Sequence, residues 1–337
     1  MSHPLIGRVS AGENLSQADM AEAVDQIMRG VWPEEQMAVF LTALHHKGET
    51  AEEVAGAAAA MRQHMTRLRS DHRVLLDTCG TGGDGSGTFN ISTAAAIVTA
   101  AAGVPVAKHG NRGMTSKSGS ADVLAVLGVN IEASVQQSEA CLAEIGLCFC
   151  FAPLLHGAMR HVSSVRRQLG FRTIFNLLGP LSNPAGATHQ LLGVGHASLR
   201  PLLATALHHL GAEHALVVCG RDGLDEVTLR GLTDCTEVTP QVTRELTWSA
   251  PDFGLPEASS YETIRIDGPE ASAAMIRRVL DNEQGTARDL VVINAAAALW
   301  VAGQGMPADC ARRAEETIAS GAARELLQSL ALRSHRA

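Results

Sequence analysis

The stretch DTCGTGGDGSGTFNIST at residues 77–93 decides the fold. An apolar run at 74–76 precedes it and an alanine-rich helical pattern at 92–102 follows it, so it joins a strand to a helix. Five glycines (Gly80, Gly82, Gly83, Gly85 and Gly87) fall within eight residues, more than a solvent-exposed turn requires. Such a loop lets backbone amides and the following helix N-terminus converge on an anion. Gly80, Gly82 and Gly85 also fit the G-x-G-x-x-G of dinucleotide folds, but that pattern wants an acid about 20 residues on. No Asp or Glu stands between Asp84 and Asp122, and no Gly-Lys-Ser/Thr follows as in a Walker loop. Both nucleotide readings are excluded. Ser92 and Thr93 fall at the expected helix start, as N-caps or as oxygen ligands for Mg²⁺.

Upstream, the first seventy residues carry helical patterns alone. Ser16 and Asp19 open one with Met20, Ala23, Val24, Ile27 and Met28 on one face. Pro33 opens a second carrying Met37, Phe40, Leu41 and Leu44, and Thr50 with Glu53 forms a capping box for a third reaching about Arg69. Downstream, apolar runs at 104–107, 147–151, 191–194 and 216–218 alternate with helical patterns at 119–127, 135–145, 155–169 and 199–210, which predicts a parallel sheet. FRTIFNLLGPLSNP at 171–184 breaks that rhythm and is expected to pack on the helical part. After Asp222 the chain reads as irregular to about Ile266, and helices return at 269–282, 286–302 and 307–331. The expected architecture is α/β: an N-terminal all-helical domain at 1–70, with 166–184 packed on it, and a larger domain at 71–337 around a mostly parallel sheet.

Two further segments carry chemistry. KHGNRGMTSKSGSAD at 108–122 leaves the second strand, at the carboxyl end of the sheet, with many donors and almost no negative charge. Only three of the chain's 27 cations are lysines, Lys47, Lys108 and Lys117, and two of them lie in this loop. That is a site for phosphates. DGLDE at 222–226 places Asp225 beside Glu226. Paired carboxylates beside a phosphate pocket repel the ligand unless Mg²⁺ lies between them; in isolation a plain acidic turn is the better account of them, and it loses ground only because of the two basic segments. Arg166, in a helical pattern after His156 and His161, is a candidate for gripping a carboxylate. His45–His46 and His208–His209 lack zinc spacing, and Cys148 and Cys150 read as core.

The 337 residues, 46% hydrophobic and 18% charged, exclude a disordered or fibrous chain. A net charge of −8 argues against a nucleic-acid or anionic-membrane partner. Seven cysteines without paired spacing, no apolar run of membrane-spanning length, and an N-terminus that turns polar within a few residues lead to a cytoplasmic expectation.

Together, GTGGD at 80–84, NIST at 90–93, the 108–122 loop and Asp225–Glu226, in this order and spacing, resemble the anthranilate phosphoribosyltransferase family from the helical N-terminus through FNLLGPLSNP. The resemblance implies transfer of the phosphoribosyl group of 5-phosphoribosyl 1-pyrophosphate to anthranilate, in tryptophan biosynthesis, on a nucleoside-phosphorylase-like fold. It implies that Gly80, Gly83, Asp84, Thr88, Asn90, Ile91, Ser92, Thr93, Lys108, His109, Gly110, Asn111, Arg112, Gly113, Met114, Thr115, Ser116 and Ser120 bind the donor. Gly80, Asn111, Arg166, His156 and Pro180 would meet anthranilate, with His109 nearby, and Ser92, Asp225 and Glu226 would hold Mg²⁺, two ions per site. A homodimer through the helical domain follows from the same likeness. Two positions depart from the family pattern: Gly157 stands where proline is expected and Thr115 where serine is expected. A nucleoside phosphorylase of the same fold is the nearest rival, and DGLDE disfavours it because phosphorolysis needs no carboxylate–magnesium clamp. A non-catalytic nucleic-acid-binding relative is disfavoured by the charge and the intact motifs.

Overall fold

The computed structural model describes residues 3–113 and 117–336. Among them, β1 (Leu76–Gly80), β2 (Val106–Gly110), β3 (Leu147–Phe151), β4 (His189–Gly193), β5 (His214–Gly220), β6 (Leu232–Val238) and β7 (Thr243–Ser249) form one sheet. The order is β3-β2-β1-β4-β5-β6-β7, parallel through β5 and antiparallel for the last two pairings. The chain winds outward from β1 through β2 to β3, then resumes on the other side of β1 with β4. In such sheets ligands bind beyond the carboxyl ends of the strands where the winding reverses, here β1 and β4.

Strand alternation divides the interior. Leu191 of β4 and Leu216 and Val218 of β5 pack into a core with the helices Ile91–Ala101 and Thr286–Val301. Leu192 of β4 and Ala215, Val217 and Cys219 of β5 face the other way, into a core shared with the N-terminal helices. That second core also takes Val162, Val165, Ile174, Phe175, Leu178 and Leu181. The helical body is thus welded to one face of the sheet by apolar burial.

Several expectations are corrected. β1 and β2 begin later than the apolar runs and continue through polar residues to Gly80 and Gly110, because Asp77, Thr78, Lys108 and His109 find buried partners. β6 and β7 occupy the stretch expected to be irregular: β7 lies at the sheet edge with most side chains in solvent, so no apolar run marks it. Ser92 and Thr93 do not cap the helix Ile91–Ala101; Asn90 holds the cap position, and the Thr93 side chain is buried. The third N-terminal helix stops at Gln63, and a further helix, Pro4–Ser10, precedes the three predicted ones. The expected helix at 155–169 is broken into Ala152–Leu155, a short 3₁₀ turn at Gly157–Met159, and Arg160–Leu169. A Cβ at Gly157, where the resemblance leads one to expect proline, would meet nothing within 4 Å.

The Thr50–Glu53 capping box is present, and Glu53 does more than cap. Fully buried, its carboxylate accepts from the Thr50 and Leu15 amides at 2.8 and 2.9 Å and from Lys47 Nζ at 2.9 Å. Removing it strands the two backbone donors and leaves Lys47 only the Asn14 side chain and the Gly48 carbonyl. Glu53→Ala is therefore expected to lower the unfolding free energy by about 3–5 kcal/mol, read from urea midpoints. A loss under about 1 kcal/mol would make this an ordinary cap.

Candidate active site

Alternation along β2 sends two consecutive side chains to opposite faces of the sheet and to two different sets of neighbours. Lys108 turns toward the helix Ile91–Ala101, donating from Nζ to the Thr78 carbonyl at 2.5 Å and to Ser92 Oγ at 3.3 Å. His109 turns toward the helical body, where its Nδ1 meets the Gly179 carbonyl at 3.0 Å and its Nε2 meets His156 Nε2 at 3.1 Å. Between them Asp77 braces the strands, accepting from the His109 amide at 3.1 Å and from Asn183 Nδ2 at 2.8 Å. Sequence reading misses Asp77 and Asn183, since an acid in a strand and an Asn after a turn signal nothing by themselves.

The first pocket gathers the anion-binding segments. Gly82, Gly83, Gly85 and Gly87 all take positive φ, from 63° to 81°, which explains the glycine density. Gly80 pairs with Gly193 across β1 and β4, and a Cβ on Gly193 would fall 1.6 Å from the Asp225 carbonyl oxygen. The missing side chain lets DGLDE sit against the sheet. Glu226 Oε1 accepts from the Ser92 amide at 3.0 Å. Asn90 donates to the Ser118 carbonyl at 3.0 Å, tying the glycine loop to the 108–122 loop, and within the latter Ser120 Oγ reaches the Asn111 carbonyl at 3.4 Å. Thr88 bridges to Arg265. Ile91 buries its side chain in the core, and the buried Thr93 Oγ1 has no hydrogen-bond partner among the described residues. Met114, Thr115 and Ser116 lie outside the described residues.

Charge is unbalanced here. Burial, and then the neighbouring Asp84 carboxylate, push Asp225 up to about 7. Burial and then Asp225 push Glu226 up, against the pull of Lys108. Lys108 itself is lowered by burial and supported by Asp77. One oxygen of Asp84 is buried with no hydrogen-bond partner. Acids so placed call for a divalent cation. Among the described residues no group of three or more His, Cys, Asp or Glu forms a ready metal cage. The adjacent Asp225 and Glu226 carboxylates fit Mg²⁺, which takes one or two carboxylates plus substrate phosphates. In the 108–122 loop, Arg112 is ion-paired with Asp122 at 3.2 Å.

The second pocket, of about 790 Å³, lies between the helical body and the sheet. Gly80, His109, Asn111, His156, Arg166 and Pro180 all line it, so the structure brings the expected acceptor residues together. Arg166 is placed by the helix Arg160–Leu169, half-buried with its guanidinium 5.8 Å from the Phe175 ring centroid and without a carboxylate partner among the described residues. Burial lowers its pKa from the ordinary arginine value. Arg172 and Met61 line the same pocket, and no sequence signal singles them out.

The two imidazoles are held neutral. With His109 Nδ1 donating to a carbonyl, its Nε2 accepts from His156 Nε2, and His156 Nδ1 is left as a buried nitrogen without a partner. Burial and then His156 lower His109 to about 3, and burial lowers His156 to about 4. The ordinary value is 6.5, so the unfolded chain binds more protons below it, and folding stability falls as pH drops from about 6.5 toward 4. His156→Asn is expected to flatten that slope in urea midpoints measured from pH 7 to about 4.5; an unchanged slope would place the titration elsewhere.

Comparisons with known proteins bear on the same segments. The description "Glycosyl transferase family, a/b domain" matches residues 72–324, and "Glycosyl transferase family, helical bundle domain" matches residues 3–65. A curated relative from Anaeromyxobacter dehalogenans (strain 2CP-C), an anthranilate phosphoribosyltransferase, is 50% identical over 326 residues, covering 96% of each chain. The crystal structure of the Thermus thermophilus anthranilate phosphoribosyltransferase superposes with a TM-score of 0.93 at 40% identity, covering 99% of this chain and 100% of that one. The Saccharomyces cerevisiae enzyme, solved in complex with PRPP and Mg, superposes with a TM-score of 0.85 at 30% identity, covering 95% of this chain and 93% of its own.

Proposed function

We propose roles for the residues of a chain that belongs to the anthranilate phosphoribosyltransferase family. The chain transfers the phosphoribosyl group of 5-phosphoribosyl 1-pyrophosphate to the amine of anthranilate, releasing pyrophosphate, in tryptophan biosynthesis. The observation that carries the division of labour is the split along β2, with Lys108 to an anion pocket and His109 to a second pocket.

The first pocket takes the donor. The glycine-loop amides, Asn90, Ser92, Lys108 and the 110–113 segment with Ser120 bind phosphate oxygens, and Ser92, Asp225 and Glu226 hold two Mg²⁺ ions. Asp84, with its unpartnered oxygen, faces the same ions. Bound Mg²⁺ neutralises the departing pyrophosphate, the main electrostatic task of the reaction. Lys108 adds a buried positive charge on the same side. The second pocket takes anthranilate: Arg166 grips its carboxylate, and Asn111, His156 and Pro180 orient the ring toward the sugar. The arylamine is neutral at pH 7 and needs no strong base before attack, so the protein's remaining contribution is positioning.

We assign residues 1–70 to a helical domain with 166–184 packed on it, and 71–337 to the catalytic α/β domain. The chain works as a cytoplasmic homodimer meeting through the helical domain. Among the described residues no helix is long and apolar enough to cross a membrane. The deciding assay follows anthranilate fluorescence after adding the donor, with and without Mg²⁺. Loss of signal that needs both supports the scheme. Donor binding by calorimetry without turnover would overturn the acceptor assignment.

A further inference from the structure

We propose that Arg172 is a donor-binding residue: carried by the helical body, it reaches across the cleft to the Gly82–Asp84 turn and binds an oxygen of the donor's pyrophosphate. The inference rests on the donor assignment of the first pocket.

The helix Arg160–Leu169 ends at Gly170, which takes a left-handed conformation (φ 69°), and the chain restarts as a helix at Phe175–Leu178. Residues on both sides of this break, Val165 and Ile174 among them, are locked in the helical-body core. Arg172 is thus anchored to that body, yet its guanidinium lies against the other one. A Cβ placed on Gly83 would sit 3.4 Å from Arg172 Nη1. The side chain is exposed, and it makes no ion pair or hydrogen bond among the described residues. It also lines the same pocket as Arg166.

Charge arithmetic points to the donor and not the acceptor as its ligand. Anthranilate has one carboxylate, and Arg166, deeper in the pocket, suffices for it. The donor brings a pyrophosphate and a phosphate. Arg112 is paired with Asp122, and Lys108 is buried behind the Thr78 carbonyl and Ser92. The donor's phosphates bring their negative charge to the space beside Asp84 and Asp225. An unpaired guanidinium touching the glycine turn is the group placed to offset it, and its planar fork suits two phosphate oxygens. Because it arrives from the helical body, it links donor binding to the body that forms one wall of the acceptor pocket.

The test compares full-length wild type, Arg172→Gln and Arg172→Lys by steady-state kinetics in both substrates and by calorimetry with magnesium pyrophosphate. Loss of one charge-assisted contact predicts that Arg172→Gln raises the donor KM and the pyrophosphate Kd by roughly tenfold to a hundredfold. The KM for anthranilate and kcat at saturating donor stay within about twofold, and Arg172→Lys recovers part of the loss. An unchanged pyrophosphate Kd overturns the proposal, as does a rise confined to the anthranilate KM. A wild type that bound magnesium pyrophosphate without consuming anthranilate would defeat the acceptor reading instead, and the pyrophosphate arm would still decide Arg172.

Discussion

Asp225→Asn combined with Glu226→Gln is expected to lower kcat by about a hundredfold to a thousandfold and to abolish the Mg²⁺ dependence of what remains. The two carboxylates lie beside Asp84 in a space where burial and mutual repulsion already drive their protonation upward. Without a cation this arrangement works against folding. Asp225, raised from 3.8 to about 7, binds its proton more tightly in the folded state, so the folded chain loses stability relative to the unfolded one as pH rises from about 4 to 7. Neutral isosteres remove that cost. The double variant should therefore melt no lower than wild type in EDTA, while Mg²⁺ raises the melting temperature of wild type only. An inactive variant that also melts lower would have lost its fold. A variant with the wild-type magnesium titration would remove both residues as ligands.

Arg166→Ala is expected to raise the KM for anthranilate by roughly thirtyfold to a hundredfold and to leave the donor KM within about twofold. The guanidinium is half-buried near Phe175 in the acceptor pocket and lacks a carboxylate of its own among the described residues. A charged group kept in that state costs stability unless it is used, and an aromatic carboxylate is the ligand that would use it. Loss of packing on Phe175 accompanies the loss of charge, so Arg166→Lys separates the two. Lysine keeps the charge without the fork and should recover part of the affinity. Equal losses for both substrates would refute the division between the pockets. Paired with the Arg172 variants, these kinetics assign two arginines of one cleft to two different substrates.

The order of elements and the anion-binding loops are legible in the sequence because their signals are local. Five glycines in eight residues demand positive φ, and four of them take it. The capping box at Thr50 is readable for the same reason. Strand ends are less so. Asp77 and Lys108 look like loop residues because a buried charge in a strand is stable only with partners, and those partners, Asn183 and Ser92, come from other segments. Arg112, which its loop marks as a phosphate ligand, also meets Asp122 in the fold.

The sequence by itself determined the family, the succession of the first five strands and most of the helices, and which segments carry the candidate site, since backbone conformation and hydrophobic period are written in neighbouring residues. Only the tertiary structure decided that Lys108 and His109 serve different pockets, that both histidines are neutral, that Asp84 shares its space with Asp225, and that Arg172 meets Gly83. Each of these depends on desolvation and on distances between residues far apart in the chain. Those quantities exist only once the core has closed around them.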